Sequence, residues 1–223
     1  MGKRASGTEE EERDMTHADA DTITLEPAQA MSPELVGPLL HATDPHIFGY
    51  LHGHDEALSH RHMAHQWLQA QGLFSHVHAV AAMHDGELAG LELGFDRATQ
   101  DAHTAGFVAA AQAFLTEAQF GQLASWFEYG AFVIPPIPDD AYYLQNLAAA
   151  PAARGRGIGE RLLLNCFERA RAAGLARVQL DVYDGNPAFR LYERVGMRTI
   201  AETRVPPLEA DGIGLHLRME VKF

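Results

Sequence analysis

Arg154-Gly155-Arg156-Gly157-Ile158-Gly159 carries the clearest chemical signal in the chain, lying between a predicted strand and the start of a predicted helix. Three alternating glycines let a backbone approach a ligand closely. The first-turn amides of the helix, with its dipole, make a site for an anion such as a pyrophosphate. Arg154 and Arg156 add positive charge. Glycines and arginines also make ordinary surface turns, and it is the strand and helix context that favours phosphate. A P-loop would need Gly-Lys followed by Ser or Thr, which is absent. A dinucleotide fingerprint starting at Gly155 or Gly157 would need its third glycine at Glu160 or Leu162, although Asp181 sits near where a ribose-binding acid is expected.

Other reactive side chains point less clearly. Ten of the thirteen histidines lie between His41 and His84, with pairs at His52 and His54, His60 and His62, and His76 and His78. Such a pair shares a face on a strand but not on a helix, so only His76 and His78 could converge locally as metal ligands. There is no HExxH motif. No metal is expected, and the histidines read as scattered surface or acceptor-pocket groups. Cys166 is the only cysteine, which excludes an intramolecular disulfide, and its apolar neighbours predict a buried structural thiol.

The elements that must position the glycine loop can be read on either side of it. Tyr142 to Ala148 reads as a strand, and Ile158, Leu162, Leu163, Cys166, Phe167 and Ala170 repeat at helical spacing up to a stop at Gly174. Val178, Leu180 and Val182 then alternate with polar residues, giving a strand, helix, strand unit with parallel strands and a right-handed crossover. Asn186-Pro187 supplies an N-cap and N1 proline for a short helix bearing Ala188, Leu191, Tyr192 and Val195, which ends at Gly196. Thr199 to Arg204 and Leu215 to Phe223 read as two further strands.

Earlier in the chain, Thr22 to Leu25 reads as a short strand, and Ser32-Pro33-Glu34 opens a helical region that runs with interruptions to about Gln71. Ser75 to Met83 and Glu87 to Phe95 form an antiparallel pair across the Asp85-Gly86 turn signal. About Ala105 to Ala131 reads as helix, ended by Pro135-Pro136-Ile137-Pro138.

The 223 residues, 47% hydrophobic and 21% charged, suit one globular domain. Residues 1–21 read as a solvated acidic tail and 22–223 as a single domain with a helical insertion at about 97–140. A net charge of −13 argues against a nucleic-acid partner, because acids outnumber bases by 30 to 17. The N-terminus lacks the apolar stretch of a signal peptide, and no segment is apolar for the roughly 18 residues that a membrane span needs. A protein of the reducing cytoplasm, without a membrane partner, is expected.

The stretch from Leu147 through Ala149 and Arg154 to Gly159 resembles the acetyl-CoA motif of the GNAT superfamily, whose core is Arg or Gln, two residues, Gly, one residue, then Gly or Ala. Asn186, Pro187, Ala188, Leu191, Tyr192, Glu193, Gly196 and Met197 resemble its second motif, an Asn-led helix carrying a Leu-Tyr pair and ending in Gly-Phe. The resemblance is specific over about Tyr142 to Arg198. It implies an α/β fold with a mostly antiparallel central sheet, flanked by helices, in which one parallel strand pair splays to admit a pantetheine arm.

The implied activity is transfer of an acetyl group from acetyl-CoA to a primary amine of a small molecule or peptide. By position, the backbones of Leu147 and Ala149 would bond the pantetheine amides, and Arg154, Gly155, Arg156, Gly157, Ile158 and Gly159 would hold the pyrophosphate. Asn186 and Tyr192 would lie near the thioester, with Tyr192 as the general acid because a phenol can donate to the leaving sulfur. The strand before the loop has no carboxylate to serve as general base, which leaves Glu128, Asp140 or a histidine as options and keeps open a non-catalytic acetyl-CoA-binding module. Asn186 to Tyr192 is one residue shorter than the family's spacing, Met197 replaces a Phe, and the insertion is longer than the usual connection. A homodimer through that insertion is the expected assembly.

Overall fold

In the computed structural model, residues 23–30 and 32–223 are described, and the acidic tail of residues 1–21 lies outside them. Seven strands form one sheet in the order β1-β2-β3-β4-β5-β7-β6. These are β1 (Ile23–Pro27), β2 (Ala79–His84), β3 (Glu87–Asp96), β4 (Ala141–Ala149), β5 (Arg177–Tyr183), β6 (Arg198–Thr203) and β7 (His216–Lys222). The helices are α1 (Pro33–His41), α2 (Pro45–Leu51), α3 (Glu56–Trp67), α4 (Arg97–Phe114), α5 (Glu117–Val133), α6 (Ile158–Ala172), α7 (Phe189–Arg194) and the single turn α8 (Pro206–Glu209).

All strand pairs are antiparallel except β4 with β5. The β2–β3 hairpin turns through Asp85 and Gly86 at φ 53° and 79°, the left-handed conformations that an Asp-Gly turn supplies at low cost. In the β3–β4 ladder Leu93 faces Asn146 and Gly94 faces Leu144, so Gln145 is an extra, bulged residue. The parallel pairing of β4 with β5 covers only Ala141, Tyr142 and Tyr143 opposite Arg177, Val178 and Gln179. Beyond that point the two strands part, while β5 remains paired to β7 along its whole length.

The expected apolar stripe of α6 is buried from Ile158 to Ala170, and this helix covers one face of the sheet. Burying a leucine such as Leu162 or Leu163 contributes about 2 kcal/mol. Gly174 at φ 75° ends the helix, and Leu175 N donates back to Ala170 O at 3.0 Å. Beneath the helix, Arg169 and Tyr142 both donate to the fully buried Glu92. Burial pushes that carboxyl up to about 7, against the pull of Arg169 and Tyr142. Cys166 is buried beside it, as its neighbours predicted. On the opposite face α1, α2 and α3 pack Val36, Leu40, Phe48, Met63 and Trp67 against Leu91, Leu93 and Phe95.

Two local expectations change. The insertion is two helices rather than one, because Thr116 and Gln119 form a capping box that starts α5 two residues after α4 ends. The strand expected from Ser75 begins only at Ala79, since Ser75 Oγ accepts from Val77 N and caps a 3₁₀ turn over His76–His78. His76 and His78 therefore do not share a strand face. His76 Nδ1 donates to Trp67 O at 2.8 Å, whereas His78 packs edge-on against His103.

A directed hydrogen-bond chain ties the insertion to the N-terminal helices. Phe48 O can only accept, so His52 Nδ1 donates to it at 2.7 Å. His52 Nε2 then accepts from His62 Nδ1 at 2.9 Å, and His62 Nε2 accepts from Gln66 Nε2 at 3.0 Å. The same Gln66 amide donates to Phe107 O at 3.1 Å. Every step requires neutral imidazoles. Burial first, then the neighbouring His52 and His65, lowers His62 to about 3. Between the unfolded value of 6.5 and that value only the unfolded chain takes up the proton, so stability falls as pH falls through this window, by at most about 5 kcal/mol. Urea denaturation at pH 7 and pH 5 checks this. His62→Gln should flatten the acid loss, and an unchanged slope would remove His62 as its cause.

Candidate active site

The parting of β4 from β5 creates the first half of the site. Ala150 N donates to Ala89 O at 2.8 Å, so that residue faces β3. By strand alternation the N–H and C=O groups of Leu147 and Ala149 face the opposite side, into the gap. The N-terminus of α6 stands at the same split. Gly90 makes room for it, since a Cβ there would lie 2.7 Å from Ala148 O and 2.8 Å from Ile158 Cγ2.

The glycine loop divides into distinct roles. Gly155 and Gly157 have φ of 79° and 75°, and a Cβ on either would face open space. Gly157 is the N-cap of α6 with no side-chain cap, and the first intrahelical bond runs from Arg161 N to Gly157 O. The amides of Ile158, Gly159 and Glu160 precede that bond, as a helix N-terminus requires. Gly159 is a packing position, because a Cβ there would meet Leu191 Cδ2 at 3.1 Å. Ile158 is buried, so only its backbone can serve a ligand. Arg154 and Arg156 are exposed, and Arg156 Nη1 donates to His84 Nε2 at 3.2 Å.

A cavity of about 380 Å³ forms the second half, walled by β4, β5, α7, the α1–α2 connection and the insertion. Leu147, Asn186 and Tyr192 all line it. Tyr192 is 6% exposed, and among the described residues its hydroxyl has no hydrogen-bond partner. Burial, then nearby Tyr183, pushes the phenol above its usual range, so it stays protonated. Asn186 does not cap α7 as expected. Its Oδ1 accepts from Ala188 N at 2.9 Å in the turn before the helix, Ala188 is the N-cap, and Asn186 Nδ2 donates to Thr43 O at 3.3 Å. Met197 is buried in the core.

The charged groups of the wall are Asp44, Asp181 and His216. Neither Glu128 nor Asp140 lines it: Glu128 is exposed, and Asp140 is paired with Arg177 at 2.6 Å. Asp181 accepts from Arg218 Nε at 3.0 Å, Arg218 Nη2 at 2.5 Å and Tyr143 Oη at 3.0 Å, so it is not a free ribose ligand. His216 Nδ1 donates to Gly214 O at 3.1 Å, and Nε2 lies 2.9 Å from Asp44 Oδ2. Burial alone would lower His216, but the bond to Asp44 outweighs it and the net shift is upward. The sequence reading missed this pair. Thr43-Asp44-Pro45 reads as a helix N-cap, which Asp44 also is, accepting from Ile47 N at 3.0 Å. His41, Glu56 and His60 bring one possible ligand atom each to within 4.8 Å of one another, a convergence of α1 and α3 that local spacing did not reveal.

A mostly antiparallel sheet, split at one parallel pair beside a helix N-terminus without a side-chain cap, is not the frame of a doubly wound dinucleotide-binding domain. The model of the "Acetyltransferase (GNAT) family" matches residues 50–197, and the chain belongs to this family. Among solved structures it is similar to an N-acetyltransferase from Staphylococcus aureus Mu50, at 16% identity over 89% of this chain and 100% of that one, with a TM-score of 0.68. A second acetyltransferase structure shares 18% identity over 89% and 98% of the two chains, with a TM-score of 0.62. A Bacillus subtilis acetyltransferase in complex with CoA shares 15% identity over 91% and 99%, with a TM-score of 0.52. At these identities the likeness is one of fold. No curated protein matches the chain. No helix among the described residues is long and apolar enough to cross a membrane.

Proposed function

We propose that the protein moves the acetyl group of acetyl-CoA directly to a primary amine of a small molecule or peptide. The observation that carries this reading is the gap between β4 and β5, whose walls at Leu147 and at Leu180 to Val182 line the cavity that also holds the Tyr192 hydroxyl, unpartnered among the described residues. The residues present fit the carrier. The gap-facing groups of Leu147 and Ala149 would take the pantetheine amides, and the backbone of Gly155 to Gly159, with Arg154 and Arg156, would hold the pyrophosphate. Acetyl-CoA supplies an acyl thioester when bound.

The chain's own groups supply the proton chemistry. Tyr192 holds a proton at Oη for the departing sulfur, and burial keeps that proton in place. Asp44, which lines the same cavity and takes only one hydrogen bond on each oxygen, is positioned to receive the proton that an incoming ammonium must lose before its nitrogen can attack, and His216 holds it in place. No cysteine nucleophile takes part, since Cys166 is buried on the sheet-facing side of α6.

Calorimetry with acetyl-CoA, CoA and NAD, followed by thiol release with a panel of amines, tests the reading. Binding of both CoA species without NAD, and amine-dependent thiol release, are expected. NAD binding alone would overturn the assignment, and CoA binding without thiol release from any amine would leave only a binding module.

A further inference from the structure

The cavity wall is apolar over most of its area and offers charge at few points. Phe48, Phe74, Phe107, Trp126, Phe127 and Ile134 line it from α2, the segment before β2, and the two insertion helices. No Lys or Arg is among the lining residues, so an anionic acceptor finds no partner there. Of the two carboxylates, Asp181 is 3% exposed and already takes three hydrogen bonds from Arg218 and Tyr143. Asp44 is 17% exposed and takes one bond on each oxygen, from Ile47 N and His216 Nε2. A carboxylate has about four lone-pair sites, so Asp44 keeps capacity for another donor.

We propose that the acceptor is a primary monoamine on an apolar, aromatic or bulky alkyl body, its ammonium held by Asp44 and its body packed among the aromatic side chains of the insertion. One open carboxylate matches one ammonium. A polyamine or an aminoglycoside would bring further cations to a wall that offers no second open carboxylate, only neutral acceptors such as Gln100, Thr104, Gln145 and Asn146, and each unpaired cation costs several-fold or more in affinity. A cavity of about 380 Å³ is of the size that holds a small ligand. Thr43, next to Asp44, is tied to Asn146 at 2.7 Å and to Asn186 at 3.3 Å, which fixes the ammonium site against the β4–β5 fork. Asp44 and His216 both lie outside residues 50–197, so the ammonium site rests on parts of the chain that the family match does not cover, whereas the aromatic wall from Phe74 to Ile134 lies within it.

The inference rests on the acetyl-transfer reading, and two readouts separate them. Thiol release from acetyl-CoA is measured with 2-phenylethylamine, spermidine and triglycine, and binding of the same amines is measured by calorimetry in the presence of CoA. We expect kcat/KM for 2-phenylethylamine to exceed that of the other two by about 100-fold, which is about 3 kcal/mol. Asp44→Asn keeps a good helix cap and should raise KM for 2-phenylethylamine by about 30-fold, with acetyl-CoA affinity unchanged. Trp126→Ala should raise it by about 10-fold. Preference for spermidine or triglycine, or an Asp44→Asn variant with unaltered amine affinity, overturns the acceptor class and leaves acetyl transfer standing. Binding of 2-phenylethylamine that is lost in Asp44→Asn, without thiol release from any amine, supports the acceptor site and removes the transfer reading.

Discussion

Replacing Gly157 with Glu should weaken acetyl-CoA binding by more than about 100-fold, or about 3 kcal/mol. Gly157 is the N-cap of α6 at φ 75°, its Cβ position faces open space, and no side chain caps the first-turn amides. A carboxylate placed there sits where a pyrophosphate would meet those amides and competes for the same dipole. Backbone strain is a separate cost, about 1–2 kcal/mol for a side chain in the left-handed region, and Gly157→Ala carries it without the charge. The informative measurement is therefore the calorimetric ratio between the Glu and Ala variants, each checked for a native circular-dichroism spectrum. Equal affinities for the two would mean that charge at this position is immaterial and that the phosphates bind elsewhere.

Tyr192→Phe should lower kcat by about 100-fold or more while acetyl-CoA affinity changes less than about threefold. The ring packs in the core beneath α6 and beside Met197, and phenylalanine preserves that packing. The hydroxyl has no partner among the described residues, so its removal leaves no orphaned protein group and the melting temperature should not fall. A loss confined to turnover would thus isolate proton donation from structure. Unchanged kcat across the pH range would show that the sulfur leaves without this phenol.

Much of the frame around the site was legible from the residues. The β4–α6–β5 unit followed from a period of two, then 3.6, then two, with Gly174 as the stop, and each of these is a property of neighbours along the chain. The Asp85-Gly86 hairpin was legible for the same reason. Where the reading slipped, a cap competed with a pattern. Ser75 turned the start of an apolar run into a 3₁₀ turn, and the Thr116–Gln119 capping box split a helix that composition alone joined. Asn186 reads as the N-cap of the helix, whereas Ala188 takes that place and the Asn186 side chain closes the turn before it.

The sequence by itself determined the fold class and which turn and helix carry the glycine loop and Tyr192, because these depend on spacing within one strand, turn or helix. Only the tertiary structure decided where β4 leaves β5, that Tyr192 Oη has no partner among the described residues, and that Asp44 meets His216 across 172 positions of chain. The physical reason lies in what each signal encodes. Periodicity and caps are local free-energy preferences, whereas a cavity wall is assembled from side chains whose meeting is set by the packing of whole elements. Asp44 illustrates both levels at once: one carboxylate oxygen obeys the local rule by capping α2, and the other reaches His216, a partner that no local rule names.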